Sequence, residues 1–525
     1  MPLQLFDLLS KGYFPKELPP PFTTETYAQA LAGPQATPPP GSFSSRPWFS
    51  MSCTHNLVRT GGLRRNLSIP NPKHYFRLAE HIVANWANMT TLTNATPFSF
   101  SKPVDIHLGR SISPEHRLAE RAASRVHLRS TGRILLKADI TRFFPSVYTH
   151  AIPWAIMGKT AAKNAHAAGT LKGSWEDRVD LLSRSLNSNQ TVGIPIGPDT
   201  SLLIAEVLLA RIDLELSQKF PNLKCLRYID DYEFVFTTRS EAEEVLGYLQ
   251  FLLNNFEFAI NPNKTFIIEL PGPLESIWTT NLRYFIFRDA GVTGQQNDLV
   301  AFFDTAFELF KRYREEGLMK YAVACLRGLN VQEENWELLE GLLMHCISIE
   351  PACLPQVCDQ VVYYLSLGYP VKTDLWSVCL NNIVIEKTPL GQASEVAWAM
   401  WLMKILDINL QDKCSQAVGD SEDSVVGLMA LGLATAGLAS MANLAGLHRY
   451  SQHNFLFESQ WLLCYQGNLM TCLGPGGGPV NLQTDSAFSY MEAQGVSFFD
   501  INVPVPPAIR YAVPPAYGGG GGGGY

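Results

Sequence analysis

The sequence has little charge, no excess of positive charge and no paired cysteine motif. Only 17% of its 525 residues are charged and the formal net charge is −7, so a surface that is basic throughout is excluded and any nucleic-acid channel must be a local basic lining. The ten cysteines include no CxxC pair, which favours reduced, mostly buried thiols in a cytoplasmic protein. The first residues lack a basic start followed by an apolar run, so a secretory signal is not expected.

One uncharged segment imitates a membrane span. Residues 424–447 carry no charge, and a run of this length could cross a bilayer. The segment is rich in alanine and glycine with polar residues interspersed, a composition that favours a helix packed inside a helical domain. We therefore expect one buried helix here and no membrane partner.

The remaining sequence divides into segments of different pattern. A hydrophobic content of 46% describes a globular chain, long enough for two or three domains. Proline clusters mark residues 1–60 as an extended arm, and mixed strand and helix patterns occupy 61–290. Helical spacing with short connections repeats over 291–473, and a glycine- and proline-rich tail follows over 474–525. The predicted fold class is α+β, with a mixed domain followed by an all-α helical-repeat domain.

The most informative motif is the tetrapeptide YIDD at 228–231, which lies between two β-rich runs. This pattern predicts a hairpin with Asp230 and Asp231 at its tip. Adjacent carboxylates at a turn can serve one site, and oxygen ligands suit a pair of Mg²⁺ ions in phosphoryl transfer. An exposed Asp-Asp turn without chemistry is the alternative for this tetrapeptide taken alone.

Three further segments supply partners for these acids. An apolar run over 134–138 ends in Asp139, which would be the third carboxylate. The motif GIPIG, from Gly193 to Gly197, has bare backbone that a base pair could approach. After helical spacing over 241–256, the motif NPNKT places Lys264 in a loop beside the site.

The acid, the glycine turn, the Asp-Asp hairpin and the late lysine, in this order, resemble the palm of reverse transcriptases. The segments YIDD (228–231), DITRFFPS (139–146) and NPNKT (261–265) carry the resemblance. In amino-acid sequence these segments most resemble the bacterial defence-associated, abortive-infection reverse transcriptases, the group that includes AbiA and AbiK. Strong over residues 60–290, the resemblance implies right-hand polymerase fingers and palm. A HEAT-like helical repeat domain would replace the thumb and RNase H parts.

The resemblance also implies a role for each motif residue. Asp139, Asp230 and Asp231, with Ile140 beside the first acid, would hold two Mg²⁺ ions, and Mn²⁺ is the alternative ion. Lys264 would approach the leaving pyrophosphate as a proton donor or charge stabiliser.

Nucleotide binding is predicted at other positions. Phe144 would pack where a ribose 2′-hydroxyl projects, so the resemblance implies dNTP substrates; an ordinary core phenylalanine is the alternative. Arginines spaced by four would form a basic stripe on a helix over 114–128, suited to triphosphate or backbone phosphate. A solvated charged face, partnered by neighbouring glutamates, is the alternative. The predicted nucleotide-binding residues are Phe144, Arg110, Arg117, Arg121, Gly193 and Gly197.

The implied function is an RNA-directed or template-independent DNA polymerase in antiphage defence. Expected partners are dNTPs, RNA or DNA, a noncoding RNA or partner reverse transcriptase, and further copies in a homo- or hetero-oligomer. A reverse transcriptase of a retron or group II intron, and a catalytically silent nucleic-acid-binding scaffold, are the alternatives. The near-neutral helical domain disfavours the first, and the intact acids and lysine disfavour the second.

Members of the resembling group also attach DNA to a protein tyrosine. Tyr511, Tyr517 and Tyr525 follow flexible glycine- and proline-rich sequence. They are therefore candidate primers, with an internal tyrosine as the rival and an unreactive tail as the alternative.

Overall fold

A computed structural model describes residues 3–38, 41–59, 63–107, 109–117, 120–288, 291–313, 317–473 and 480–508. Among these residues, antiparallel strands form three sheets. The strands are β1 (Cys53–Val58), β2 (Arg64–Ile69), β3 (Pro103–His107), β4 (Arg110–Pro114), β5 (Ile134–Asp139), β6 (Cys225–Tyr228), β7 (Asp231–Phe236) and β8 (Phe266–Glu269).

Helices surround the sheets and make up the rest of the fold. The first twelve are α1 (Leu5–Lys11), α2 (Glu25–Ala32), α3 (Pro72–Ala84), α4 (Trp86–Ala95), α5 (Arg121–Arg129), α6 (Phe143–Ser146), α7 (Ala151–Met157), α8 (Lys159–Ala167), α9 (Trp175–Ser185), α10 (Asp199–Lys219), α11 (Arg239–Asn255) and α12 (Ile277–Arg283). The others are α13 (Gly291–Tyr313), α14 (Leu318–Cys325), α15 (Trp336–Ile349), α16 (Leu354–Ser366), α17 (Thr373–Lys387), α18 (Ala393–Ile405), α19 (Asp412–Gly419), α20 (Ser424–Thr435), α21 (Trp461–Leu469) and α22 (Ser486–Ala493).

The central sheet has four antiparallel strands in the order β6-β7-β5-β8. Its register pairs Asp139, the last residue of β5, with Asp231, the first residue of β7. Because side chains alternate along a strand, Tyr232 and Phe234 face the opposite side from Asp231. Their rings stack at 5.6 Å, and the Tyr232 hydroxyl donates to Asp213 of α10 over 3.1 Å. The sheet therefore buries one face against α10 and places the acids on the other.

Two helices hold this sheet from behind. α10 is 21 residues long and buried around most of its circumference, as expected for an apolar helix inside a core. α11 begins with a capping box in which Thr238 and Glu241 bond each other's backbone amides. The helix predicted over 241–256 is confirmed within two residues at its start.

The prediction of an extended arm over residues 1–60 is wrong for much of that segment. α1 and α2 are helices, and β1 pairs with β2. Tyr13 is fully buried and stacks on Tyr75 of α3 with ring centroids 4.1 Å apart. The prolines obscured the apolar residues between them, which are numerous enough to anchor the segment in the core.

The single helix predicted over 424–447 is two elements. α20 ends at Thr435, and a 3-10 helix follows at Met441–Tyr450. Gly437 between them has φ of +79°, a left-handed conformation that ends a helix at low cost only for glycine. Within the ranges that the structure describes, no helix combines the length and apolarity needed to span a bilayer.

The tail is not a loose tether over the part described. α22 folds at Ser486–Ala493, and Phe498 and Phe499 are buried. The backbone amide of Thr23 donates to the Phe498 carbonyl over 3.1 Å, so this segment packs against the N-terminal one. Buried apolar side chains hold the described part of the segment in the core. The candidate primers Tyr511, Tyr517 and Tyr525 lie outside the described residues.

The strands and helices together confirm the predicted α+β class, with fingers and palm followed by a helical domain. Arg64 of β2 forms a bidentate ion pair with Glu395 of α18, at 2.7 Å for each bond, so the two parts are in direct contact. All ten cysteines are free and six are buried, as predicted. The domain boundaries stay predictions.

Candidate active site

Three carboxylates meet where the central strands end. Asp139 closes β5, Asp231 opens β7, and Asp230 lies in the two-residue turn between β6 and β7. Asp139 is buried at 6% exposure, Asp230 is half-buried and the Asp231 side chain is 44% exposed. The hairpin predicted for YIDD and the strand-end position predicted for Asp139 are both present. The antiparallel register brings the third acid to the other two from more than ninety residues earlier in the chain.

The segment after α11 is fastened to Asp139 at several points. Lys264 Nζ lies 2.9 Å from Asp139 Oδ2, and Asn261 Nδ2 donates to Asp139 Oδ1 over 2.9 Å. The backbone amide of Asn261 donates to the Asp139 carbonyl over 2.7 Å, and Ile140 forms a β-bridge with Ile260. The predicted proximity of Lys264 to the acids is therefore present. Asn261, which the sequence analysis did not single out, orients the same carboxylate.

The environment of Asp230 raises its proton affinity. Burial, and then the charges of Asp231 and Asp139, raise the pKa of Asp230 to about 7. Such a group of carboxylates is costly to ionise without compensating positive charge. Lys264 supplies part of this charge at Asp139, and Arg121 Nη1 lies 3.2 Å from Asp231 Oδ2.

The donor set fits a hard divalent cation, because carboxylate oxygen is the ligand that Mg²⁺ prefers. In the described part of the chain, no group of three His, Cys, Asp or Glu side chains is arranged as ready metal ligands. Both oxygens of Asp139 and one of Asp231 already accept bonds from cationic or amide groups. The metal-binding role of Asp139, Ile140, Asp230 and Asp231 stays a prediction.

Phe144 lies in α6, the short helix that follows Asp139, and the segment of α6 and Val147 is bonded to the GIPIG motif. Its ring is half-buried and meets Phe143 edge-on at 5.4 Å. The Phe144 carbonyl accepts from the Ile194 amide over 3.0 Å, and the Val147 carbonyl accepts from the Gly193 amide over 2.8 Å. The two motifs therefore form one unit beside the acids. The role of Phe144 toward a ribose stays a prediction.

Gly197 is explained by a close approach within the chain. Its φ is +127°, and a Cβ added there would lie 2.5 Å from Pro15 Cγ, so a larger residue would push the N-terminal segment away. Gly193, with φ of +91°, is tight only against the Pro145 carbonyl, at 3.4 Å. The structure thus gives Gly197 a packing role, and its predicted contact with a nucleotide has no support beyond the sequence.

Arg110 is engaged in holding the same region together. Its guanidinium donates to Asp199 Oδ1 at 2.9 Å and 2.6 Å, to the Phe14 carbonyl at 2.9 Å and to the Gly197 carbonyl at 3.2 Å. This arrangement joins β4, the start of α10 and the N-terminal segment. Arg110 therefore acts structurally here, and nucleotide binding by it stays a prediction.

The helix predicted over 114–128 begins later, because Pro114 belongs to β4 and α5 starts at Arg121. Arg117 precedes α5 and is exposed. The other three arginines of the predicted stripe point inward, so neither a solvated face nor an open phosphate site describes them. The helix lies over the face of the sheet that carries Asp231.

These inward arginines converge on a single buried acid, Glu233. Arg121, Arg125 and Arg129 each form an ion pair with it, and Lys137 lies 3.6 Å away. The Glu233 side chain is only 1% exposed. Burial lowers the pKa of Lys137, and burial together with Arg121 lowers that of Arg125. Glu233 was not predicted, although it stands two residues after Asp231 on the same face of β7.

The arginines that pair with Glu233 also join α5 to the loop beyond β8. Arg125 donates to the Leu274 carbonyl over 2.7 Å and Arg129 to the Pro273 carbonyl over 2.8 Å. Arg121 in turn reaches Asp231 and lies over the Tyr228 ring at 5.6 Å. The cluster therefore links the YIDD hairpin, α5 and the loop beyond β8.

We expect Glu233→Gln to detach α5 from the sheet. The change leaves four cations around a neutral amide, and removing one partner of a buried ion pair costs about 3–5 kcal/mol. The melting temperature should fall, and amide exchange over residues 121–129 should accelerate. Glu243→Gln is the matched control, because Glu243 is an exposed acid paired only with Arg239 on α11. Equal effects of the two changes would contradict this role.

The same cluster gives a dependence on pH. Burial raises the pKa of Glu233, but the hydrogen bond and charge of Arg125, with Lys137 and Arg121, outweigh burial and lower it overall. A carboxylate whose pKa is lower in the folded state than in the unfolded state stabilises the fold at pH values above its unfolded-state pKa. This stabilisation is lost as the pH falls through the folded-state pKa. The gap in stability between the parent and Glu233→Gln should therefore narrow below about pH 4.3.

Residues 60–288 match the family model described as reverse transcriptase (RNA-dependent DNA polymerase). The matched segment contains the sheet, the three acids and Lys264, so the chain carries a reverse transcriptase domain. By its description, this family consists of RNA-dependent DNA polymerases.

Solved structures similar to the chain include telomerases of two yeasts. Apo telomerase from Candida tropicalis gives 12% identity and a TM-score of 0.32, over 69% of this chain and 66% of that one. Its form truncated from the C-terminal domain gives 14% identity and a TM-score of 0.29, over 43% and 51%. Telomerase from Candida albicans with the TWJ fragment of telomeric RNA gives 10% identity and a TM-score of 0.30, over 62% and 63%.

The chain thus spans between 51% and 66% of the lengths of the telomerase chains in these three structures. No curated protein sequence matches it.

Proposed function

We propose that this protein is a DNA polymerase of the reverse transcriptase type that joins dNTPs with the help of two Mg²⁺ ions. The observation that carries the proposal is the meeting of Asp139, Asp230 and Asp231 at one edge of the palm sheet, with Lys264 bonded to the first acid. A carboxylate such as Asp230, whose pKa is raised by burial and by two neighbouring acids, favours a bound dication nearby. Mn²⁺ is the alternative ion.

Each residue at this edge has a proposed task. Divalent ions bound by the three carboxylates would neutralise charge on the attacking and leaving oxygens of an in-line displacement. Lys264 would exchange its bond to Asp139 for the leaving pyrophosphate, to which it offers a positive charge and a proton. Asn261 would keep Asp139 in place during that exchange, since it bonds the other carboxylate oxygen.

The proposed nucleic-acid partner is RNA, DNA or both, at a local basic surface. The net charge is −7, and the three arginines of α5 are paired with Glu233. Arg117, which is exposed just before α5, is the residue of the predicted stripe that phosphate can reach without moving the helix. A role for Arg121 toward phosphate requires it to leave Asp231 or Glu233.

The proposed biological role is antiphage defence in the cytoplasm. Its support is the amino-acid sequence of the segments YIDD, DITRFFPS and NPNKT, which resemble the corresponding segments of the abortive-infection group. A noncoding RNA or a partner reverse transcriptase would then be encoded nearby, and assembly into oligomers is expected. A mobile-element reverse transcriptase is the second candidate, and the neighbouring genes distinguish the two.

The activity is tested by incubating the purified full chain with labelled dNTPs and Mg²⁺. Parallel reactions contain an annealed RNA template and DNA primer, the primer alone, or no nucleic acid after nuclease treatment. Incorporation only with the template supports RNA-directed synthesis, and incorporation without it supports template-independent synthesis. No incorporation in any reaction, with Mg²⁺ or Mn²⁺, would reject the polymerase.

Priming by the protein itself is a further part of the proposal. In the reaction without nucleic acid, label that stays on the chain after boiling in detergent supports a covalent link. Mapping the labelled peptide then separates Tyr511, Tyr517 and Tyr525 from an internal tyrosine. Label lost on boiling would reject protein priming and leave polymerisation intact.

We expect Phe144→Ala to relax the choice of sugar, with more rNTP used relative to dNTP. Removing the ring opens volume beside the position proposed for the ribose C2′. Phe143→Ala is the control, because Phe143 is buried at 2% exposure and packs on Phe258. A competition assay measures the dNTP/rNTP ratio. The same ratio in Phe144→Ala as in the parent would make Phe144 a packing residue only.

A further inference from the structure

The turn that carries Asp230 begins with an unfavourable backbone conformation. Ile229 has φ of +51° and its side chain is 1% exposed. A left-handed backbone is strained for a β-branched residue and persists only where surrounding groups enforce it. The peptide of Ile229 directly precedes Asp230, so whatever enforces this conformation also sets the position of the Asp230 carboxylate.

One enforcing group is the buried guanidinium of Arg227. It donates to Glu206 Oε1 and Oε2 at 3.0 Å each and to Asp213 Oδ2 at 2.8 Å. Arg227, Glu206 and Asp213 are all inaccessible to solvent. The same guanidinium donates to the Ile229 carbonyl over 3.0 Å. The ion-pair network of α10 is thereby connected to one end of the strained residue.

The other end is held by a hydroxyl from a distant segment. The Ile229 amide donates to Ser101 Oγ over 2.7 Å, and that hydroxyl donates to Glu206 Oε1 over 2.6 Å. Ser101 is fully buried. Its segment runs beside β6, with the Phe100 amide donating to the Arg227 carbonyl over 2.7 Å. Ile229 is therefore clamped at both its amide and its carbonyl.

We propose that Ser101 is a positioning residue that sets the Asp230 carboxylate by fixing the Ile229 amide. The inference rests on the proposed polymerase function and adds a residue that belongs to none of the motifs. Ser101 transmits the fixed geometry of Glu206 and Arg227 to the turn.

The neighbouring serine provides a matched control. Ser99 Oγ donates to Glu206 Oε2 over 2.8 Å, so Ser99 and Ser101 each bond one oxygen of the same carboxylate. The Ile229 amide is bonded by Ser101 alone of the two. Ser99 Oγ also accepts from the Ser101 backbone amide over 3.2 Å. Ser99→Ala therefore removes a bond to the same carboxylate and this backbone contact, and leaves the Ser101 Oγ bond to the Ile229 amide in place.

The test compares Ser101→Ala, Ser99→Ala and the parent full-length chain. We expect Ser101→Ala to lower kcat by about 10- to 100-fold, as a small displacement of a catalytic group can, with KM for dNTP within about twofold. Amide exchange at Ile229 should accelerate in Ser101→Ala and stay at the parental rate in Ser99→Ala. Ser101→Thr, which keeps the hydroxyl, should retain most of the parental kcat.

Several outcomes would overturn the inference. Equal kcat losses in Ser101→Ala and Ser99→Ala would show a general effect on the network. A loss in Ser101→Thr as large as in Ser101→Ala would show that the hydroxyl is not responsible. Unchanged amide exchange at Ile229 would show that the bond does not hold the turn. This exchange measurement needs no catalysis, so an inactive parent would reject the polymerase and still leave the clamp tested.

Discussion

Replacement of both Asp230 and Asp231 by alanine is expected to abolish nucleotide incorporation, with a loss of at least about a thousandfold. The two acids occupy the start of β7 and the turn before it, opposite Asp139. Without them, one carboxylate remains to bind divalent ions, and the charge stabilisation of phosphoryl transfer is lost. Primer extension or labelled-dNTP incorporation measures the effect.

The fold should survive this double substitution. Asp231 is partly exposed, so solvent screens its bond to Arg121, and Arg121 keeps its ion pair with Glu233 when Asp231 is removed. The raised pKa of Asp230 means that its charged form opposes folding above about pH 7, so its removal should not lower the melting temperature at pH 8. Glu243→Ala with Glu244→Ala is the control, because it removes two adjacent exposed acids from α11. Retained incorporation in a folded Asp230/Asp231 variant would reject the proposed site.

The second large effect is expected on stability, from Arg227→Leu. The substitution leaves Glu206 and Asp213 as buried carboxylates without their cation. Removing one partner of such a network costs about 3–5 kcal/mol, since the remaining charges are uncompensated. The free energy of unfolding of the full chain should fall by this amount in denaturant titration, with a lower melting temperature.

An exposed arginine gives the comparison for that result. Arg239 pairs with Glu243 one turn along α11, and its side chain is 66% exposed. Arg239→Leu should change the free energy of unfolding by less than about 1 kcal/mol. If Arg227→Leu were no more destabilising than Arg239→Leu, the buried network would not support the palm as described.

Local patterns in the sequence correctly predicted the hairpin and the strand end that carry the three acids. The alternation and the acids of YIDD are sufficient for a hairpin, and an apolar run ending in Asp139 is sufficient for a strand end. Both depend on neighbouring residues, so they can be read without knowing the fold. The order of these segments with NPNKT indicated that they share one site, and Lys264 is indeed bonded to Asp139.

Interpretations that depended on what lies opposite a residue were less successful. The arginine stripe on α5 was visible, but the buried acid that it meets comes from β7, more than one hundred residues later. Arg110 was predicted to bind a nucleotide. In the structure its guanidinium donates to Asp199 and to two backbone carbonyls. A cation's role depends on the anion beside it, and that anion is set by packing rather than by spacing.

The sequence by itself determined the class of chemistry. Acids at a hairpin tip and a strand end, a glycine turn and a late lysine define a nucleotidyltransferase palm, because each feature is local and chemically specific. Only the tertiary structure decided that the proline-rich start and the segment after the glycine run pack together. It also decided that α5 lies on the sheet and that Ser101 bonds the Ile229 amide. These contacts join segments far apart in the chain, so burial and charge pairing in three dimensions fix them, and no local period records them.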